Sequence, residues 1–175
     1  DLNLHPTLLK AVKDQNYTTP TAIQQKAIPY ILQRSDVLGT AQTGTGKTAA
    51  FALPILHHIE NEKDNNGKRK VKALIVTPTR ELAIQIAENF TSYSKYNSVK
   101  NTVIYGGVKQ GSQTTALANG VDVLIATPGR LLDLIGQGYI TLSDIKYFVL
   151  DEADRMLDMG FIHDIKKLIK MLPQK

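Results

Sequence analysis

Short apolar runs alternate along the chain with longer segments whose apolar residues recur at helical spacing. Four of the runs are nearly continuous, as expected of strands buried on both faces of a parallel sheet. They cover residues 73–76, 103–105, 121–126 and 147–150. A shorter apolar pair, Val37-Leu38, predicts one more strand immediately before a glycine-rich segment.

The segments between these runs carry helix signals. Pro6 can open the first helix, Pro20 is expected to end it, and Thr21 is a plausible N-cap for a second helix running to about Ile31. Further helices are predicted over residues 47–59, 80–93, 131–135 and about 165–172. Alternating strands and helices predict an α/β fold with a parallel sheet and helices on both faces. In such sheets ligands collect at the carboxyl ends of the strands.

Composition narrows the class of protein. The chain has 175 residues, of which 42% are hydrophobic and 21% charged, as in a globular domain. It contains no cysteine, which excludes disulfides and thiol chemistry, and its four histidines show no metal-ligand spacing. A net charge of +5 suits a polyanionic partner. We find no signal peptide or membrane-spanning run, and expect a cytoplasmic monomer. The start at an Asp rather than a Met suggests a fragment of a longer chain.

A phosphate-binding loop is predicted where residues 41–48 spell AQTGTGKT. Gly44 and Gly46 allow a tight turn whose N–H groups point at one anion, and the next helix directs its positive end to the same place. Lys47 adds a charge for the β- and γ-phosphates, and Thr48 offers a hydroxyl to Mg²⁺. The alternative is a Gly/Thr-rich surface loop before an ordinary helix.

A pair of carboxylates, Asp151-Glu152, follows the last apolar run. One carboxylate at a strand end can hold Mg²⁺, and the second can orient and deprotonate the water that attacks the γ-phosphorus. The alternative is an ordinary acidic turn at the end of a strand.

Several segments in one order resemble the DEAD-box RNA helicases of superfamily 2. Residues 151–154 spell DEAD, and residues 41–48 are similar to motif I, with an alanine in place of the first glycine. The segments similar to the Q motif, motif Ia, the double-glycine motif and motif Ib are residues 17–24, 78–83, 106–107 and 127–130. The resemblance implies a RecA-like fold, the three-layer sandwich of P-loop NTPases. Residues 1–175 would be the single N-terminal RecA-like domain, without the C-terminal one.

The resemblance also implies an ATP or ADP site with Mg²⁺. The nucleotide-binding residues would be Tyr17, Gln24, Thr43, Gly44, Thr45, Gly46, Lys47 and Thr48. Gln24 would read adenine through its amide, Tyr17 would stack on the base, and Thr48 and Asp151 would hold the metal. Glu152, Lys47 and Asp151 would be catalytic. The chain departs from the family at Asn16, where glycine is usual, and no Phe precedes Tyr17.

Motifs Ia, the double glycine and Ib imply contacts with the backbone of RNA, without sequence specificity. The residues concerned are Pro78, Thr79, Arg80, Gly106, Gly107, Thr127, Gly129 and Arg130. The parent protein would then be an RNA-stimulated ATPase that opens short duplexes, completed by its C-terminal RecA-like domain. Two alternatives stay open: a nucleotide- and RNA-binding module with little turnover, or a DNA-directed motor of superfamily 2.

Overall fold

The computed structural model describes residues 2–39, 46–62 and 69–173. The chain divides into two compact units: residues 1–66 with 88–99, and residues 67–87 with 100–175. The helices in chain order are α1 (Pro6–Asp14), α2 (Ala22–Leu32), α3 (Lys47–Asn61), α4 (Arg80–Tyr93), α5 (Gly111–Ala118), α6 (Pro128–Gly136), α7 (Ala153–Asp158) and α8 (Ile162–Met171). The strands are β1 (Ala73–Val76), β2 (Asn101–Ile104), β3 (Val123–Ala126) and β4 (Tyr147–Leu150). Among the described helices, none is long and apolar enough to cross a membrane.

In the first unit, α1 ends in a Schellman motif centred on Asn16. The N–H of Asn16 donates to the carbonyl of Lys13 at 2.9 Å, and the N–H of Tyr17 donates to the carbonyl of Val12 at 3.0 Å. Asn16 has a φ of 62°, a left-handed conformation that asparagine tolerates better than most residues. The prediction that Pro20 ends this helix was therefore wrong, because the chain turns several residues earlier.

Two histidines of α3 fix the ends of neighbouring helices in the first unit. The backbone N–H of His5 donates to Nδ1 of His57 at 2.9 Å, and Nε2 of His58 lies 3.1 Å from the carbonyl oxygen of Ile31. Burial, and then the charges of His58 and His5, lower the pKa of His57. The neutral ring thus accepts the backbone hydrogen bond at neutral pH, and these histidines serve packing.

A parallel four-stranded sheet forms the centre of the second unit, in the order β2-β3-β1-β4. Every residue of β1 and β3 is fully buried, which explains why both strands are apolar throughout. Side chains from α6, α7 and α8 pack with alternate strand residues in the core; they include Leu131, Leu134, Met156, Ile165 and Leu168. This parallel sheet with helices around it confirms the predicted RecA-like α/β architecture.

Most predicted boundaries agree with the structure. The strands 73–76 and 147–150 and the helix 80–93 match, whereas the strand predicted at 103–105 covers Asn101–Ile104 and the one predicted at 121–126 covers Val123–Ala126. Helices α5 and α7 were not predicted.

The strand predicted at Val37-Leu38 was wrong. Residues 35–39 have no regular secondary structure, and the side chain of Leu38 is 98% exposed. Two apolar residues between Asp36 and Gly39 can form only a few ladder hydrogen bonds, too few to fix a strand without burial.

At the amino edge of the sheet, Asp122 joins the segments that precede β1 and β2. This buried carboxylate accepts hydrogen bonds from Nε of Arg69 at 3.0 Å and from the N–H of Lys100 at 2.9 Å. Nζ of Lys72 lies 3.8 Å away. The segments are thereby tied at the point where their strands begin.

Replacing Asp122 with alanine should lower the free energy of unfolding by about 2 kcal/mol, because the part-buried N–H of Lys100 and the cations of Arg69 and Lys72 lose their acceptor. Asp144→Ala is the matched control: its carboxylate is 39% exposed and 3.9 Å from Lys70, and its loss should change the free energy by less than about 0.5 kcal/mol. Urea denaturation measures both. Equal losses of stability in the two variants would contradict the proposed role of Asp122 in joining the segments before β1 and β2.

Candidate functional site

The carboxyl ends of the four strands lie level with one another. Val76 pairs with both Ala126 and Leu150, and Ile104 pairs with Ala126. Each of four motif segments begins within two residues of such a strand end: 106–107 after β2, 127–130 after β3, 78–80 after β1 and 151–152 after β4. The second unit therefore gathers these segments along one edge of its sheet, as the sequence predicts.

The acidic pair stands at the end of β4. The N–H of Asp151 donates to the carbonyl of Val76 at 2.9 Å, which extends the pairing of β4 with β1 by one residue. Asp151 is buried, whereas Glu152 is partly exposed and has a φ of 58°. A glutamate in the left-handed region is unusual, and such backbone strain clusters at functional sites.

Thr77 is a polar contact of Asp151 that the sequence reasoning missed. Its hydroxyl lies 3.5 Å from Oδ2 of Asp151, and Thr77 is fully buried. At this distance the hydroxyl is a weak hydrogen-bond donor, which favours one orientation of the buried carboxylate. A threonine directly after the apolar run of β1 was the available signal.

Motif Ia begins helix α4. Oγ1 of Thr79 accepts from the N–H of Leu82 at 3.2 Å, so that Thr79 acts as an N-cap. Pro78 is buried, whereas Arg80 is exposed and its guanidinium lies 5.4 Å from the centre of the Tyr105 ring. The cation of Arg80 is thus presented to solvent beside the segment that leads into Gly106.

Motif Ib begins helix α6. Thr127 is the N-cap residue, and its N–H donates to the carbonyl of Ile104 at 3.1 Å. Gly129 is exposed. The side chain of Arg130 is only 13% exposed, and its Nη2 donates to the carbonyl of Val108 at 2.7 Å. Of these residues Gly129 therefore faces solvent, while Pro128 is buried and Arg130 lies against the double-glycine loop.

In the first unit, the predicted phosphate loop ends where α3 begins. Gly46 precedes the helix with a φ of 83°, and Lys47 and Thr48 are its first two residues, both partly exposed. The N–H groups of this first turn can bind an anion. Thr43, Gly44 and Thr45 lie outside the described residues.

Gln24 connects the Q motif to Gly46. Its Oε1 accepts from the N–H of Thr21 at 3.0 Å, which completes a capping box at the start of α2. Its Nε2 donates to the carbonyl of Gly46 at 3.2 Å. Each end of the amide keeps one further hydrogen-bonding position, so Gln24 can hold Gly46 and still face a base. The T-x-x-Q signature of residues 21–24 could have revealed the capping box.

Gly46 is closely approached by these side chains. A Cβ added there would lie 2.3 Å from Nε2 of Gln24 and 2.9 Å from Oγ1 of Thr21. Only glycine fits both this contact and the positive φ.

Tyr17 is half-exposed and its ring lies 6.4 Å from that of buried Tyr93, tilted by 55°. Burial, and then a hydrogen bond with Tyr17, raise the pKa of Tyr93. Tyr17 thus has one side fixed by packing and part of its ring accessible.

The parallel sheet and the segments at its carboxyl edge define a RecA-like α/β domain. The family model described as "DEAD/DEAH box helicase" matches residues 21–175, and the chain belongs to this family.

Three of the proteins to which the chain is similar are RNA helicases by name. The chain is 46% identical over 173 residues to the ATP-dependent RNA helicase RhlB of Actinobacillus succinogenes, covering 99% of this chain and 42% of the relative. It is 46% identical over 175 residues to the ATP-dependent RNA helicase DeaD of Haemophilus influenzae, covering 99% of this chain and 28% of the relative. It is 45% identical over 175 residues to the DEAD-box ATP-dependent RNA helicase RhpA of Helicobacter pylori, covering 100% of this chain and 34% of the relative. The chain thus spans less than half the length of these curated relatives.

Replacing Gln24 with leucine should lower the free energy of unfolding by about 2 kcal/mol, because the change removes the capping box and the bond to Gly46. Gln25→Leu is the matched control, since Gln25 is exposed and its side chain donates to the carbonyl of Pro20 at 3.2 Å. Its loss should cost less than about 0.5 kcal/mol. Urea denaturation gives the energies, and amide exchange at Thr21 should accelerate in Gln24→Leu alone. Unchanged exchange at Thr21 would contradict the capping role.

Proposed function

We propose that this chain is the nucleotide-binding part of an ATP-dependent RNA helicase. The parent protein would couple RNA-stimulated ATP hydrolysis to the opening of short RNA duplexes. Membership of the DEAD/DEAH box helicase family and the similarity to named ATP-dependent RNA helicases support this proposal. The observation that supports the proposal most directly is the common carboxyl edge of the sheet. Four motif segments begin at this edge, and their residue types are suited to binding phosphate or its metal ion.

The nucleotide would bind through the residues around the start of α3. Lys47 would neutralise the β- and γ-phosphates, while residues 43–46 and the first turn of the helix would donate N–H groups. Gln24 would read adenine with the donor and acceptor positions that its bonds to Thr21 and Gly46 leave available. Tyr17 would stack on the base with the accessible part of its ring.

A Mg²⁺ ion prefers hard oxygen donors, and the carboxylate of Asp151 and the hydroxyl of Thr48 are donors of this kind. We propose Asp151 and Thr48 as its ligands, with Thr77 holding the carboxylate of Asp151 in place. When bound, the ion would offset charge that develops on the phosphoryl oxygens. Glu152 would accept a proton from the attacking water, and Lys47 would stabilise the transferring group.

The RNA backbone would be held by the other segments of the edge. Arg80 and Arg130 would provide charge, and Thr79 and Thr127 hydroxyl contacts. Gly106, Gly107 and Gly129 are exposed and would present their N–H groups to phosphates. Because Pro78 is buried, it would support this surface rather than contact RNA.

Efficient hydrolysis would need the second RecA-like domain of the parent protein, since arginines from outside this chain would stabilise the transition state. The chain by itself would then be a nucleotide- and RNA-binding module with little turnover. A motor directed at DNA is the other candidate, and it is disfavoured by the RNA helicase relatives.

Lys47→Met should weaken ATP binding about 10- to 100-fold, because one charge-assisted hydrogen bond to phosphate contributes about 1.5–3 kcal/mol. Lys26→Met is the matched control, since Lys26 is exposed on α2 and belongs to none of the motif segments. It should bind ATP within about twofold of the unchanged chain. Titration with a fluorescent nucleotide measures both. Equal affinities of the two variants would reject the phosphate role of Lys47.

The chain should bind ATP with Mg²⁺ yet hydrolyse it no faster than its Glu152→Gln variant, with or without single-stranded RNA. Phosphate release measures turnover, and Asp158→Asn controls for the same carboxyl-to-amide change at an exposed position. RNA-stimulated turnover that is lost by about 100-fold in Glu152→Gln but kept in Asp158→Asn would mean that a second domain is not needed. Stimulation by DNA equal to that by RNA would favour the DNA-directed motor.

A further inference from the structure

The double-glycine loop is held at both of its ends by side chains. Nε2 of Gln113 donates to the carbonyl of Tyr105 at 3.1 Å, immediately before Gly106. Nη2 of Arg130 donates to the carbonyl of Val108 at 2.7 Å, immediately after Gly107. The peptide groups on either side of the doublet are therefore fixed to residues outside the loop.

Gln113 connects these two attachments. Its Oε1 accepts from Nη1 of Arg130 at 3.1 Å, so one amide both holds the carbonyl of Tyr105 and orients the guanidinium that holds Val108. Gln113 lies on α5 and is only 6% exposed. A buried amide whose donor and acceptor are both used fixes geometry more strictly than an apolar side chain of the same size.

Between the two attachments, the doublet faces open space. Gly106 and Gly107 are exposed, and a Cβ added to either would meet no atom within 4 Å. Close packing therefore does not account for the glycines. Gly107 has a φ of 83°, which does require glycine, and successive N–H groups in such a turn form a concave site for an anion.

Positive charge surrounds this loop. The guanidinium of Arg80 lies 5.4 Å from the centre of the Tyr105 ring. Arg130 donates to Gln113 and Val108, and its Nε also lies 3.9 Å from Oδ2 of Asp133. Because Asp133 is 52% exposed, it balances the charge of Arg130 beside the doublet only in part. An anion at the doublet would lie near both cations.

We propose that Gln113 is a positioning residue for a phosphate-binding site formed by the N–H groups of Gly106 and Gly107. By fixing both ends of the loop, Gln113 removes the entropy that the loop would otherwise lose when it binds RNA. This inference rests on the proposed RNA-binding function, and it adds a buried residue that touches no RNA.

The test compares Gln113→Met with the control Leu117→Ala in ¹⁵N-labelled chain titrated with a short oligouridine. Methionine keeps the volume of Gln113 but forms neither bond, whereas Leu117, also buried on α5, has an apolar side chain that cannot form a hydrogen bond to either end of the loop. The amide resonances of Gly106 and Gly107 should shift with RNA in the unchanged chain. Gln113→Met should weaken RNA binding about 10-fold and reduce these shifts, while ATP affinity stays unchanged. Leu117→Ala should lower the melting temperature but retain the RNA affinity and the shifts.

A second variant, Gln113→Glu, keeps the acceptor for Arg130 but places an oxygen against the carbonyl of Tyr105. The Gln113→Glu variant should also bind RNA more weakly. If Gln113→Met does not fold, the RNA affinity of Gln113→Glu tests the positioning role instead. RNA affinity unchanged in the Gln113 variants, or lost equally in Leu117→Ala, would overturn the positioning role while leaving the RNA helicase proposal intact. An unchanged chain that binds no RNA would overturn both.

Discussion

The register of the parallel sheet is the constraint on which the rest of the second unit depends. Val76, Ile104, Ala126 and Leu150 end their strands at one level, so the residues that follow must share one edge. A slip of one residue in any strand would turn its side chains to the opposite face and expose part of the core. Burial of every residue in β1 and β3 therefore fixes the position of the motifs as well as the stability of the sheet.

Several motif residues hold their own backbone before they meet any ligand. Gln24 caps α2 and holds Gly46, Thr79 caps α4, and Arg130 holds the carbonyl of Val108. These side chains have more hydrogen-bonding positions than the protein uses, so binding a ligand need not break the contacts. A site built in this way is ordered in advance, which lowers the entropy lost on binding.

The sequence predicted the strands and helices whose apolar residues form a clear pattern within the element itself. Continuous apolar runs identified β1 and β4, and helical spacing identified α4 with its observed bounds. It failed where local signal was absent or misleading. Helix α5 is rich in Ser, Thr and Gln with little apolar periodicity, α7 has six residues, and Val37-Leu38 is apolar but exposed. The roles of Thr77 and Gln113 depend on partners distant in sequence, which no spacing reveals.

Two residues with left-handed backbones show that one conformation can have different causes. Asn16 takes the place where the family usually has glycine, and its φ of 62° completes the turn that ends α1, a role that asparagine fills at little cost. Glu152, with a φ of 58°, is a less favourable case, because glutamate adopts the left-handed region less readily than asparagine. Glycine at position 152 would relieve the backbone but remove the carboxylate. Backbone strain of this kind clusters at functional sites, and the buried Asp151 and the level end of β4 can hold Glu152 in place for the chemistry proposed for its side chain.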